Sequence, residues 1–262
     1  MIKINDMIYT IKNFPDGTYL LNNQFAIEDN ELIMITWQYE NEAELSAIMM
    51  LTRYYQSHNH PVELKLPYVP NARMDRVKST GEVFTLKYFC EFINWLNFRK
   101  VYVLDVHSNV AAALLDRVVI DAPNGLTRKV YYDCNPDVLF FPDEGAMKRY
   151  SGLQVSHLSP IAFGMKDRDW ATGKIKGLDV FGADVKDKNV LIIDDICSRG
   201  GTFLHSARKL KELGAKDIYL CITHCENTIL EGELLEGDLI KKVYTTDSIF
   251  TKEHEKIEVY NI

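Results

Sequence analysis

The sequence has no stretch of about 18 uninterrupted apolar residues, which excludes a membrane-spanning helix. It also lacks a cationic excess: 30 Lys and Arg stand against 37 Asp and Glu, for a formal charge of −7. That balance excludes a global attraction to nucleic acid or anionic lipid, and leaves room for a local basic patch that holds a phosphorylated small molecule. Cysteine is scarce and odd in number: Cys90, Cys134, Cys197, Cys221 and Cys225 are widely spread, and three lie in apolar runs. A disulfide framework is therefore not expected, and a reducing cytoplasm is. Cys221, His224 and Cys225 in "YLCITHC" offer zinc-ligand chemistry, but no second ligand pair accompanies them, and a strand end is the plainer reading. The opening "MIKINDMIYTIKNF" has no basic segment followed by a long apolar run, so the expectation is a soluble, unprocessed chain.

What is present is an alternation of short apolar runs with stretches of helical period. "ELIMITW" (31–37), "PVELKLPYV" (61–69) and "KVYVLDVH" (100–107) read as strands, separated by predicted helices over 41–59 and 84–98. Asn41 and Glu44 have the spacing of a capping box. The rhythm resumes with strands in 136–145, 155–165 and 188–196, a helix over 202–215, and closing strands over 216–225 and 241–249. The length of 262 residues, 47% of them apolar, suits two domains of roughly 130 residues. Pro and Gly interrupt the pattern at 121–129, and the division is placed as 1–123 and 124–262. Each half reads as a mainly parallel sheet flanked by helices, an α/β fold.

In an open parallel sheet, ligands sit beyond the carboxyl ends of the strands. Those positions here are rich in chemistry: "PNARMDR" after 61–69, "DVHS" after the run ending at 104, "PDEGAMKR" after 141, "GMKDRD" after 163 and "DDICSRGGT" after 193. In the last, Gly200 and Gly201 form a turn ahead of a helix with Thr202 at its cap, an arrangement whose backbone N–H groups suit a phosphate. Asp194 and Asp195 just before it suit vicinal hydroxyls, as on a ribose, or a hydrated Mg²⁺. A sugar phosphate would satisfy both parts.

"VLIIDDICSRGGT" resembles the phosphoribosyl-pyrophosphate motif shared by type I phosphoribosyltransferases and ribose-phosphate diphosphokinases. The ordered remainder is similar to the diphosphokinases. "FPDG" (14–17) resembles their adenine loop, which serves a neighbouring subunit and implies ATP contacts from Phe14 and Asp16. "NARMDR" resembles "YARQDR" and implies nucleotide contacts from Arg73, Asp75 and Arg76. "LDVHS" resembles "VDLHA", which would place His107 at the metal-bound ATP phosphates, and "FPDEGAMKR" resembles "SPDxGGxKR", which would make Asp143 a metal ligand. "GMKDRD" carries the Lys-x-Arg of a catalytic lid, here Lys166 and Arg168 within 164–177, a segment with three glycines and Trp170. Two tandem phosphoribosyltransferase-like domains are implied, the first for ATP and the second for a sugar phosphate held by Asp194, Asp195, Ser198, Arg199, Gly200, Gly201 and Thr202.

The activity implied is Mg²⁺-dependent transfer of the β,γ-diphosphate of ATP to the C1 hydroxyl of a ribose 5-phosphate moiety, with AMP released. Such transfer depends on positioning and charge neutralisation. His107, Lys166 and Arg168 are the expected catalytic residues. A rival reading for His107 is a core histidine satisfied by Asp105. Two departures bear on the substrate. Ser198 and Arg199 replace an acid and a threonine of the usual loop, raising its charge by about two units, which suggests a bulkier 5′ substituent such as that of ADP-ribose. Thr18 stands where the adenine loop has Glu. The alternatives are a phosphoribosyltransferase that consumes phosphoribosyl pyrophosphate, and a catalytically silent partner of a synthetase. A homo-oligomer, dimer or hexamer, is expected by analogy; a nucleic-acid or membrane partner is not.

Overall fold

The structure, a computed structural model, describes residues 1–168 and 175–262, with backbone alone at 166–168 and 175–176. The chain divides into two units, Met1–Asp121 and Ala122–Ile262. No helix among the described residues is long and apolar enough to cross a membrane.

The first unit contains β1 (Ile2–Ile4), β2 (Met7–Ile8), β3 (Lys12–Asn13), β4 (Tyr19–Leu20), β5 (Ile33–Trp37), α1 (Glu44–Ser57), β6 (Val62–Leu66), α2 (Thr85–Trp95), β7 (Val101–Leu104), α3 (Asn109–Leu114) and β8 (Val118–Asp121). Its main sheet has the order β2-β1-β5-β6-β7-β8, with β5 to β8 parallel and β1 antiparallel to both neighbours. The parallel strands are nearly continuous apolar runs because helices cover both faces of such a sheet. Ile35, Leu64 and Val103 are fully buried or nearly so, packed with Ile48 and Leu51 of α1 and Phe89 and Ile93 of α2. Each such side chain contributes about 1.5–3 kcal/mol by leaving water. The expected capping box does not form. Asn41 Oδ1 accepts from the Ala43 N–H at 3.0 Å, but the buried Glu44 carboxylate turns back to Trp37 Nε1 at 2.8 Å and to the chain's amino terminus at 3.0 Å.

The second unit contains α4 (Asn124–Cys134), β9 (Val138–Phe141), α5 (Glu144–Tyr150), β10 (Ile161–Arg168), β11 (Ile175–Gly182), β12 (Val190–Cys197), α6 (Gly201–Glu212), β13 (Ile218–Cys225), β14 (Lys242–Thr246) and β15 (Ile257–Tyr260). Its sheet has the order β11-β10-β9-β12-β13-β14-β15, parallel except for the β10–β11 pair. On one face, α4 and α5 bury Val130 and Tyr150 against Leu139, Leu191 and Cys221; on the other, α6 buries Phe203, Ala207 and Leu210 against Phe140, Ile192 and Leu220.

Three expectations change here. The Pro-Gly interruption at 121–129 opens into α4, whose N-cap is Pro123 and whose Thr127 Oγ1 donates to the Pro123 carbonyl at 2.9 Å. The segment read as a lid begins and ends as a hairpin, because β10 continues through Arg168 and pairs antiparallel with β11, Lys166 opposite Leu178. Trp170, Gly173 and the rest of 169–174 lie outside the described residues, as do the side chains of Lys166 and Arg168. Strand β12 does not end at the two acids but runs on to Cys197, held by Cys225 in register.

Candidate active site

The loop after β12 is built by close packing. Gly200 is the N-cap of α6 at φ +81°, a left-handed conformation that glycine adopts without strain. Thr202 is therefore not the cap but lies inside the first turn. The first helical hydrogen bond joins the Leu204 N–H to the Gly200 carbonyl at 2.9 Å, so the amides of residues 201 to 203 precede it and form an anion-binding end. Two short 3-10 turns, Asn227–Glu231 and Glu233–Leu235, press on the loop from one side. A Cβ at Gly200 would meet Leu234 Cδ2 at 2.6 Å, and one at Gly232 would meet the Arg199 carbonyl oxygen at 2.1 Å. Ser198 Oγ lies 3.2 Å from Thr228 Oγ1, and Arg199 Nη2 is 2.8 Å from Glu231 Oε2. The positive charge expected from Arg199 is thus offset by a carboxylate that sequence reasoning had not matched to it.

The acids sit where β9 and β12 lie side by side. Asp195 is buried, 4% exposed, and its Oδ2 is 2.9 Å from Arg149 Nη1 on α5. Its N–H donates to Asp194 Oδ1 at 3.0 Å. Burial, and then the charge of Asp195, hold the Asp194 carboxyl well above the usual carboxylate range; Asp143 adds to the effect. Asp143 caps α5, accepting from the Ala146 N–H at 3.0 Å. Asp143, Asp194 and Asp195 together make this end of the strands rich in oxygen ligands, and a bound divalent cation would favour the ionised form of Asp194. Among the described residues no three His, Cys, Asp or Glu side chains close on a point as a ready-made metal cage. Mg²⁺ commonly keeps several waters and takes one or two carboxylates together with substrate phosphates.

In the first unit, 14–17 is the tip of the β3–β4 hairpin. Phe14 is exposed, and Asp16 Oδ1 accepts from Thr18 Oγ1 at 2.7 Å and from the Thr18 N–H at 3.0 Å, which lowers the Asp16 pKa. Thr18, the departure from the resemblance, therefore closes a local turn. Arg73, Asp75 and Arg76 lie in the irregular segment after β6, where Arg76 Nε is 3.0 Å from Asp75 Oδ1. Asp105 is buried beyond the end of β7 at φ +44°, its N–H donating to the Asp121 carbonyl at 2.9 Å. His107 is half-buried, two residues before α3.

In "CITHC", Cys221 and Cys225 pack in different hydrophobic clusters, and buried His224 has its Nδ1 2.8 Å from Ser248 Oγ.

The family of this architecture is readable by comparison. A profile for a phosphoribosyl synthetase-associated domain matches residues 170–262. A ribose-phosphate pyrophosphokinase of Pyrococcus abyssi is 29% identical over 223 residues, 82% of this chain and 75% of that protein. One of Bacillus subtilis is 28% identical over 258 residues, covering 95% and 80%. The crystal structure of phosphoribosylpyrophosphate synthetase from Mycobacterium smegmatis shares the fold, with TM-score 0.75, 19% identity and coverage of 96% and 85%. Over most of its length the chain is similar to ribose-phosphate pyrophosphokinases. Its fold is accordingly of the phosphoribosyltransferase type, α/β with mainly parallel sheets flanked by helices.

The sequence reading missed Arg149, although the residue stands in the quoted "AMKR"; its clue was a base one helix away from two adjacent acids. It also missed the brace at 227–235, for which only Gly232 in "ILEGELL" gave a sign.

Proposed function

We propose that this chain is a ribose-phosphate pyrophosphokinase, transferring the β,γ-diphosphate of ATP to the C1 hydroxyl of a ribose 5-phosphate. The reading rests above all on one observation: a half-buried and a buried aspartate, Asp194 and Asp195, lead into a glycine-capped helix terminus. The amides of residues 201 to 203 and Ser198 receive the 5′-phosphate, and Asp194 and Asp195 accept hydrogen bonds from the ring hydroxyls. Arg149 keeps Asp195 ionised and oriented. The C1 oxygen attacks the β-phosphorus, the bond from that phosphorus to the bridging oxygen of AMP breaks, and the proton of the C1 hydroxyl is lost to solvent. Asp143, with Asp194 beside it, would hold Mg²⁺, whose charge offsets that of the transferred group. In the first unit, Phe14, Asp16, Arg73, Asp75 and Arg76 take the nucleotide and His107 its phosphates. Lys166 and Arg168 supply donors to the transition state, each worth about 3 kcal/mol.

The favoured acceptor is ribose 5-phosphate rather than ADP-ribose, because Glu231 offsets the charge of Arg199. The reading implies a cytoplasmic homo-oligomer. To test it, the protein is incubated with Mg-ATP and, separately, ribose 5-phosphate and ADP-ribose. AMP and a product heavier by one diphosphate are expected with ribose 5-phosphate, and strongly reduced AMP with Lys166→Ala. No AMP with either acceptor would favour the silent-partner reading and overturn this one.

A further inference from the structure

The two side chains that open the loop after β12, Ser198 and Arg199, could each donate to an anion, yet both are turned toward the 3-10 turn Asn227–Glu231. Arg199 reaches Glu231. Ser198 Oγ lies 3.2 Å from Thr228 Oγ1, and Thr228 Oγ1 donates in turn to Glu226 Oε2 at 3.1 Å. Proton count fixes the direction of this relay. A carboxylate only accepts, and a threonine hydroxyl has a single proton. With that proton given to Glu226, the Thr228 oxygen can only accept, so the Ser198 proton points into the turn.

The relay is held in place from several sides. The Glu226 N–H donates to the Cys197 carbonyl at 2.8 Å, just beyond the paired Cys197 and Cys225. Asn227 Nδ2 donates to Thr251 Oγ1 at 2.9 Å, and Asn227 Oδ1 accepts from the Thr251 N–H at 3.0 Å. Past the turn, Gly232 lies so close to the Arg199 carbonyl that a Cβ has no room. Ser198, Thr228 and Glu226 are each half-buried rather than sealed in the core. A phosphate at the amides of residues 201 to 203 can therefore receive the Ser198 proton only if Ser198 releases Thr228. That exchange replaces one hydrogen bond by another, and little net affinity is gained.

We propose that Thr228 and Glu226 are positioning residues that hold the Ser198 hydroxyl proton away from the 5′-phosphate and so weaken the grip of the loop on its sugar phosphate. The inference rests on the reading of residues 198 to 202 as the phosphate loop, and extends it to two residues outside that loop.

The test is calorimetric titration of the full chain with ribose 5-phosphate and with Mg-ATP. Thr228→Val keeps the branched shape and removes the hydroxyl, which leaves Ser198 at liberty to serve the phosphate. Ribose 5-phosphate should bind roughly three- to tenfold tighter, the worth of one hydrogen bond, with Mg-ATP affinity unchanged. Thr228→Ser, which keeps the hydroxyl, should restore wild-type binding. In a Ser198→Ala background the gain from Thr228→Val should vanish. A residue that merely braced the loop would give the opposite sign, weaker binding with or without Ser198. Glu226→Ala reaches the same end by another route, because it lets the Thr228 proton turn toward Ser198. Its gain too must depend on Ser198, since loss of a negative charge alone would help equally without that hydroxyl. If Thr228→Val melts below the wild type, Glu226→Ala decides alone. No gain in binding, or a gain that persists with Ser198→Ala, would overturn the proposal and leave the sugar-phosphate reading standing. No binding of ribose 5-phosphate by the wild type would overturn both.

Discussion

The loop after β12 and the loop at the tip of the β3–β4 hairpin are both turns with a left-handed glycine, yet they are built oppositely. Gly200 at φ +81° is walled in by Leu234, whereas Gly17 at φ +86° has no atom within 4 Å of the place its Cβ would take. Residues 198 to 202 are braced by 227–235 and rooted in buried Asp195; Phe14 to Thr18 are held only within the turn, by the exposed Asp16 carboxylate and by backbone hydrogen bonds between Phe14 and Thr18 and between Gly17 and Phe14. On the proposed reading, the sugar-phosphate side is thus organised before any ligand arrives, and the nucleotide side is left adjustable. Preorganised donors act without reorganisation during reaction, while an exposed hairpin can order around its ligand.

The sharpest way to break this contrast is Asp195→Asn. Removing one partner of a buried pair leaves the other charge uncompensated, and partial exposure of Arg149 at 28% tempers the loss. A loss of about 2–3 kcal/mol in denaturant unfolding is expected, together with loss of most diphosphate transfer. Retention of full stability would show that the loop is not rooted in the pair.

Next comes Gly232→Ala. The new methyl would overlap the Arg199 carbonyl, a backbone atom that cannot swing away, so about 2 kcal/mol of destabilisation is expected. The KM for the sugar phosphate should rise more than that for ATP. An equal rise in both would remove the distinction between a braced and an adjustable side.

These two positions also mark where the sequence was and was not informative. Strands β6, β9, β12 and β13 were legible because a strand buried on both faces leaves an apolar run. Strands β1, β2, β11 and β15 were not: they are short or lie at or near the sheet edges, and in β10–β11 the glycines Gly164 and Gly177 stand inside strands. At Gly164 a Cβ would strike the Pro142 carbonyl and Leu178, a contact between neighbouring strands that composition alone does not reveal. Helix α4 was hidden by Asn124 and Gly125, poor helix formers held by tertiary packing of Leu126 and Val130. At the candidate site the acids and glycines were visible, since local chemistry announces them. Arg149, Glu231 and Gly232 were not, because their partners lie 46, 32 and 33 positions away in sequence, at Asp195, Arg199 and Arg199.

Gly17→Ala tests the other side of the comparison. With open space around it, the cost is the left-handed backbone alone, about 1 kcal/mol. Stability should fall less than in Gly232→Ala, and the kinetic effect should appear in the KM for ATP. If Gly17→Ala destabilises as much as Gly232→Ala, the hairpin is as tightly built as the braced loop.

The smallest effect belongs to Arg199→Thr, and its smallness is informative. Arg199 and Glu231 are 70% and 56% exposed, so their pair is worth no more than about 1 kcal/mol and is screened by salt. If the guanidinium is committed to Glu231, its removal changes ribose 5-phosphate and ADP-ribose use alike, and Glu231→Gln alone frees a positive charge beside the loop. Glu231→Gln should then improve use of the more highly charged acceptor, an effect that vanishes in the Arg199→Thr, Glu231→Gln double variant. Competition assays between the two acceptors at low salt measure this directly. A selective loss of ADP-ribose in Arg199→Thr would instead show that the arginine leaves Glu231 to meet the 5′ substituent, making this one corner of the braced loop adjustable too.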